Sequence, residues 1–275
     1  MSRQFPALRG LAISLVVVHH SIQMGLMYPV DQGYHRAEGI ARWALLTLME
    51  LGVFAVPIFL FISGSFVAWA ARGDPPTFSW KAVWSALNRI VWPYLFWSLA
   101  FHLVVYAVRG EEYSLLGMIK NLMMGYPFHF VPLLAFYYLV SPILLRFAKR
   151  WSLLSLSAVA LVQLGVLNLV SPGALGFEFP AWVRTVVPTP YNTVVADWGI
   201  YFPLGMVCTL HAKSVVLQVR KWKWPLLGLT VVSFVVHFLS DAAVLNLPVA
   251  AVICPTTLVP VLLLVRRNSV PGVRM

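Results

Sequence analysis

Few side chains in this 275-residue sequence are equipped for chemistry, and two of them stand in a fixed relation. In LRGLAISLVVVHH, Arg9 is followed by ten residues and then by His20. At about 100° per residue, eleven helical steps come to about 1100°, roughly 20° from a whole number of turns, so the two side chains share one helix face. At about 1.5 Å per residue they lie about 16 Å apart along the axis. A guanidinium and an imidazole on one track suit a long anionic ligand. An acyl-coenzyme A with its phosphates at Arg9 would carry its thioester to His20, and imidazole titrates in the range needed to take a proton from a hydroxyl. The plainer alternative has Arg9 snorkelling to lipid headgroups and His20 making a helix–helix hydrogen bond. His19 projects about 100° away from His20, so the pair cannot face one acceptor, and one of the two is expected to be structural.

The remaining candidates are scattered. His102 and His237 sit in apolar stretches, and Asp241 lies one helical turn beyond His237. A metal held by His20, His102 and His237 would rival acid–base work, but no HxxxH or HExxH spacing supports it, so no metal is expected. Cys208 and Cys254 both lie in apolar surroundings, which offers neither a disulfide framework nor a zinc-ligand spacing. No permanently bound cofactor is expected.

The elements that must position these groups follow from composition. The chain is 60% hydrophobic and 11% charged, against the roughly one quarter charged expected of a soluble domain. Twenty Lys and Arg with 9 Asp and Glu cannot cover a water-facing surface of this size. A lipid-facing surface needs no such cover, so a polytopic helical membrane protein is expected. The net charge of +11 does not indicate nucleic acid, because no solvated domain gathers the basic residues.

Apolar runs near the roughly 20 residues needed to cross a bilayer fall at 8–27, 50–71, 88–108, 130–147, 152–170, 198–212, 225–242 and 247–265. The sixth is short, and Pro203 and Gly205 are expected to break or shorten it. Lys and Arg collect on alternate connections: Arg3 and Arg9; Arg72, Lys81 and Arg89; Arg146, Lys149 and Arg150; Lys213, Arg220, Lys221 and Lys223; Arg266, Arg267 and Arg274. By the positive-inside rule these mark the cytoplasmic side, giving about eight transmembrane helices with both termini cytoplasmic. Asp74 is the one acid on that side. The first span lacks an A-x-A-like cleavage site and is expected to stay in place. Residues 111–129 and 172–197 read as outer loops with interfacial segments, and residues 1–275 as one membrane-embedded domain.

Four stretches together resemble the acyltransferase 3 family of integral membrane acyltransferases. FPALRGLAISLVVVHH is similar to the family's opening helix, in which an arginine precedes an essential histidine with ten residues between them; Arg9 and His20 fall on that pattern. VPIFLFISGS resembles the second helix, with Ser63 and Gly64 matching, and NRIVWPYLFWS the third, with Arg89, Pro93, Tyr94 and Trp97 matching. HFVPLLAFYYLVSPIL, with Tyr137 and Tyr138, and IYFPLGM resemble later segments, so the likeness covers about residues 5–206. Ser85 and Ala86 stand where a second basic residue is common, and Val131-Pro132 where Trp-Phe is common. Members usually carry two more spans beyond the position of Met275, so a short or inactive relative is one expectation.

The resemblance implies an O-acyltransferase of the cell's inner membrane. It would take acyl-CoA, acetyl-CoA in the first instance, from the cytoplasm and acylate a hydroxyl of a carbohydrate or lipid-linked acceptor. His20 would act as base or acyl relay, and Arg9 and Arg89 would hold the CoA phosphates. Ser63, Tyr94, Trp97, Tyr137 and Tyr138 would line the cavity. Pro93 is expected in the first turns of its span, where a missing N–H costs little. An exporter of polysaccharide or lipid-linked intermediates, without covalent chemistry, needs the same kind of cavity.

Overall fold

The computed structural model describes residues 4–27, 37–71, 73, 76–110, 112–125, 129–186, 189–242 and 244–264. These form α1 (Gln4–Met27), α2 (Gly39–Glu50), a 3-10 turn (Leu51–Phe54), α3 (Ala55–Ala70), α4 (Trp80–Arg109), α5 (Leu115–Met124), α6 (Phe130–Arg150) and α7 (Ser152–Val170). They continue with α8 (Ala181–Val186), α9 (Thr189–Trp198), α10 (Tyr201–Leu210), α11 (Ala212–Asp241), α12 (Val249–Val261) and a second 3-10 turn (Leu262–Leu264).

Six helical stretches among the described residues are long and apolar enough to cross a bilayer: Phe5–Leu26, Gly39–Ala70, Trp80–Val108, Phe130–Arg150, Ser152–Val170 and Ala212–Asp241. The sixth and eighth apolar runs correspond to shorter helical stretches, Val194–Leu210 and Val249–Leu264. Leu153, Leu161 and Val232 stand more than half exposed on these helices, as side chains facing lipid do at no cost. The chain is a multi-pass helical membrane protein.

Several spans start earlier than their apolar runs, the second at Gly39 and, with polar residues in their opening turns, α4 and α11. Ser79 caps α4, its Oγ accepting from the Ala82 N–H at 3.3 Å, and the helix then carries Lys81, Asn88 and Arg89 before the apolar stretch is reached. α11 likewise begins at Ala212 and includes Lys213, Arg220, Lys221 and Lys223. Helical hydrogen bonding continues where side chains turn polar, so an apolar run marks only part of a helix. Pro93 is consequently not in the first turns of its span. It lies in the interior of α4, where its missing N–H leaves the Arg89 carbonyl without its helical donor.

The helices gather into two compact units. One comprises the residues up to Ser63 and those from His211 onward. In it α1 packs on α2 and the Leu51–Phe54 turn, and α11 packs along α12. Thr230 and Thr257 join α11 to α12 through their hydroxyls at 2.8 Å, with the Cys254 thiol donating to the Thr230 carbonyl at 3.7 Å. Such bonds between apolar helices supply the association that hydrophobicity cannot supply inside lipid.

The other unit is Gly64–Leu210, built on α4, α6, α7, α9 and α10. Here α3 and α10 nearly touch. A Cβ on Gly64 would lie 2.0 Å from the Phe202 carbonyl oxygen, and the Ser65 hydroxyl donates to the Gly205 carbonyl at 3.2 Å. Small residues let the two backbones meet, as in other membrane helix pairs. Pro203 does not break the sixth span, because it sits in the first turn of α10 where no N–H is needed. The break falls at Gly199–Ile200, and buried side chains satisfy it. Gln163 on α7 donates to the Ala196 carbonyl and accepts from the Ile200 N–H, both at 2.8 Å, while the Tyr137 hydroxyl donates to the Gly199 carbonyl. Non-helical backbone in apolar surroundings demands such partners. α6 and α7 are joined by Trp151 alone, whose ring lies under the Arg150 guanidinium at 5.0 Å.

Candidate active site

α1 is unbroken from Gln4 to Met27, so the interval between Arg9 and His20 keeps its length of about 16 Å and its common face. Its inner stripe is Leu8, Ala12, Val16 and His19, at helical spacing; Ala12 is 1% exposed, and His19 is half-buried. His19 Nδ1 bonds the Met49 carbonyl at 2.8 Å, which makes Nδ1 the protonated nitrogen. Its ring lies flat on Gly52, where a Cβ would come within 2.6 Å of Nδ1 and 2.7 Å of the His19 Cβ. Of the two histidines, His19 is therefore the one built into the packing.

His20 and Arg9 are both exposed on α1. The His20 ring meets His19 edge-on, with centroids 5.2 Å apart, and its Nδ1 lies 3.3 Å from the Gln23 side-chain oxygen. With an oxygen as partner Nδ1 carries the hydrogen, which leaves Nε2 with its lone pair. The Arg9 guanidinium sits 5.3 Å from the centre of the Phe59 ring, a cation–π contact that holds the charge beside the start of the Ser-Gly motif on α3. Ser63 is buried, and its hydroxyl donates back to the Phe59 carbonyl at 2.9 Å.

Arg9, His20 and Ser63 belong to the first unit; Arg89, Tyr94, Trp97, Tyr137 and Tyr138 belong to the second. Arg89 is exposed on α4, nine residues after the helix begins, and donates through Nη2 to Ser85 Oγ at 3.1 Å. Ser85, one of the two positions where the resemblance leads one to expect a second basic residue, is the acceptor for Arg89. Tyr94 donates to the Leu122 carbonyl, tying α4 to α5. Trp97 is 60% exposed beside Phe96. Tyr137 is buried and stacks on Phe202 with ring centroids 5.0 Å apart, and Tyr138 meets the same Phe202 ring edge-on at 5.7 Å. The two tyrosines are brought together by one aromatic core.

A cavity of about 310 Å³ in the second unit is lined by Leu99, His102, Tyr106, Glu112, Tyr113 and their neighbours, farther along α4 from Tyr94 and Trp97 and in the segment that follows it. His102 is buried there, with Nδ1 on the Ser98 carbonyl at 2.7 Å and Nε2 facing the Asn121 amide at 3.4 Å.

In the first unit, Glu50 is 4% exposed and its Oε2 lies 3.0 Å from His237 Nε2. His237 Nδ1 is 3.7 Å from Asp241 Oδ1, four residues on. One ligand atom from each of Glu50, His237 and Asp241 falls within 4.8 Å of the other two. His237 and Asp241 were legible as an i, i+4 pair, but Glu50 comes from a helix far away in sequence and carries no local signal.

Compared with known proteins, residues 4–271 match the family model described as an acyltransferase domain, so the likeness extends well past residue 206. Neither a curated protein nor a solved structure matches the chain.

Proposed function

The chain belongs to the acyltransferase 3 family, and from that membership we propose that it is an acyl-CoA-dependent O-acyltransferase of the cell's inner membrane. The donor is acetyl-CoA or a close relative, entering from the cytoplasm, and the acceptor is a hydroxyl of a carbohydrate or lipid-linked molecule. The observation that carries the reading is the family match over residues 4–271 together with Arg9 and His20 at the family's spacing on one continuous helix.

Each group has one task. Arg9, steadied by Phe59, pairs with the CoA phosphates, and Arg89 presents within its own unit a guanidinium able to grip phosphate through two N–H groups. His20 acts as general base. With Nδ1–H directed at Gln23, Nε2 takes the proton of the acceptor hydroxyl as its oxygen bonds to the thioester carbonyl carbon. The tetrahedral intermediate then expels the CoA sulfur, the C–S bond breaks, and the imidazolium returns the proton to the thiolate. The products are an ester and free CoA, and no other reactant is consumed.

The test is transfer of label from radiolabelled acetyl-CoA to a crude glycan and lipid-linked fraction by the purified protein. His20→Ala is expected to reduce transfer by a factor of at least about 100, as loss of a general base typically does, while His19→Ala retains transfer in proportion to folded protein. Unchanged transfer in His20→Ala would remove the assignment.

A further inference from the structure

We propose that Glu50, His237 and Asp241 form a binding site for a divalent first-row transition metal of the zinc class. It is a site separate from His20 and Arg9, and it does not rest on the acyltransferase reading.

Three observations carry it. The first is geometric. The His237 Nε2 to Glu50 Oε2 separation of 3.0 Å is close to the edge of about 3.3 Å that a tetrahedral ion with bonds of roughly 2.0–2.1 Å requires between ligand atoms, and Asp241 offers a third atom within 4.8 Å. To admit the ion the Nε2–Glu50 pair opens by about 0.3 Å and the half-exposed Asp241 carboxylate swings in by up to about 1.5 Å. The side chain of Asp241 is 54% exposed while those of Glu50 and His237 are 5% and 11% exposed, so water reaches the trio at Asp241 and can serve as a fourth ligand from there.

The second observation is charge. Two carboxylates converge on one imidazole. Protonating His237 leaves the trio with a net charge of minus one, whereas a divalent cation bound by neutral imidazole balances both carboxylates. Burial makes that difference matter, since an uncompensated charge away from water is costly. The surroundings are apolar: Phe234 stacks on Phe54 with centroids 6.0 Å apart, and Phe238 lies 5.8 Å from Trp43, flanking His237 along α11.

The third is the donor set. One imidazole and two carboxylates match the mixed nitrogen and oxygen ligation of zinc and its neighbours better than the all-oxygen shells of calcium or magnesium. Bound there, the ion would fasten the end of α2 to α11. It would also hold the peptide preceding Glu50, whose Met49 carbonyl orients His19.

The experiment uses the full chain, purified without a histidine tag, stripped with chelator and desalted after exposure to zinc. Elemental analysis is expected to find about one zinc per chain, with cobalt giving visible absorption bands of a nitrogen- and oxygen-ligated ion. Asp241→Asn, half-exposed and tolerant of change, is expected to weaken binding at least about tenfold, and His237→Gln to abolish it. Zinc should raise the thermal midpoint of the parent and not that of His237→Gln. If the parent retains no more zinc than Asp241→Asn, the trio is an ion pair balanced by protons and the proposal fails. Should His237→Gln not fold, the parent against Asp241→Asn decides by the same measure.

Discussion

Replacing Gly64 by alanine puts one methyl group where the structure has no space. The new Cβ would lie 2.0 Å from the Phe202 carbonyl oxygen and 2.9 Å from its carbon, whereas ordinary contacts begin near 3.4 Å. Both are backbone atoms, so no side chain can swing away, and α3 and α10 must part by about 1.4 Å. Overpacking of this kind costs about 1–3 kcal/mol. The parting also stretches the 3.2 Å bond from Ser65 to the Gly205 carbonyl beyond hydrogen-bond range, which adds about 0.5–1.5 kcal/mol. A total of about 1.5–4.5 kcal/mol corresponds to a fall in thermal midpoint on the order of 10 °C for a chain of this size. The assay follows from the thiols. Cys208, on α10 itself, and Cys254 are 3% and 0% exposed, so a thiol-reactive fluorophore reports their release on heating in detergent. Ser65→Ala, which loses the bond without the collision, should fall by about a quarter to a third as much. A Gly64→Ala protein melting within about 2 °C of its parent would refute the close crossing of the two helices.

Two further substitutions test the packing described above. Gly52→Ala drives a methyl group into the His19 ring and its Cβ, at an expected cost of about 1–3 kcal/mol by thermal unfolding. In a His19→Gly background, which removes both the ring and the Cβ, the same change should cost under about 0.5 kcal/mol, and a cost that persists there would mean the His19 side chain is not what Gly52 accommodates. Gln163→Leu keeps the volume but leaves the Ala196 carbonyl and the Ile200 N–H without their partner, so a loss of about 2–5 kcal/mol is expected; a Gln163→Leu chain as stable as the parent would show that water or another group serves the break.

How much of this was legible in the sequence follows from where its information is local. The apolar runs and the short charged fraction gave the membrane class, and the order of the runs matches the order of the helices. The Arg9 to His20 register needed only helical pitch. By contrast, the inward stripe of α1 was hidden, because a helix apolar all round has no polar face against which to read direction, and His19 and His20 differ only by a step. The close contact at Gly64 and the support of Gly199–Ile200 by Gln163 and Tyr137 join residues far apart in the chain, 37 positions for Gln163 to Ile200 and 140 for Ser65 to Gly205. Nothing in a single stretch encodes them. Glu50 was similarly obscure: nothing near it in the sequence marks it until α11 brings His237 against it. Pro93 misled for a simpler reason, since the polar residues before it concealed the turns of helix that run from Trp80.

The single residue between α6 and α7 bears on how the chain enters its membrane. Trp151 donates its N–H to the Phe147 carbonyl and accepts from the Ser155 N–H, each at 2.8 Å, so the turn is closed by bonds from the helices it connects. With one residue between them the two helices have little freedom to separate, so α6 and α7 are expected to insert together as a hairpin. Lengthening that joint by a few glycines would remove at least one of these closing bonds and free the two helices to insert one after the other.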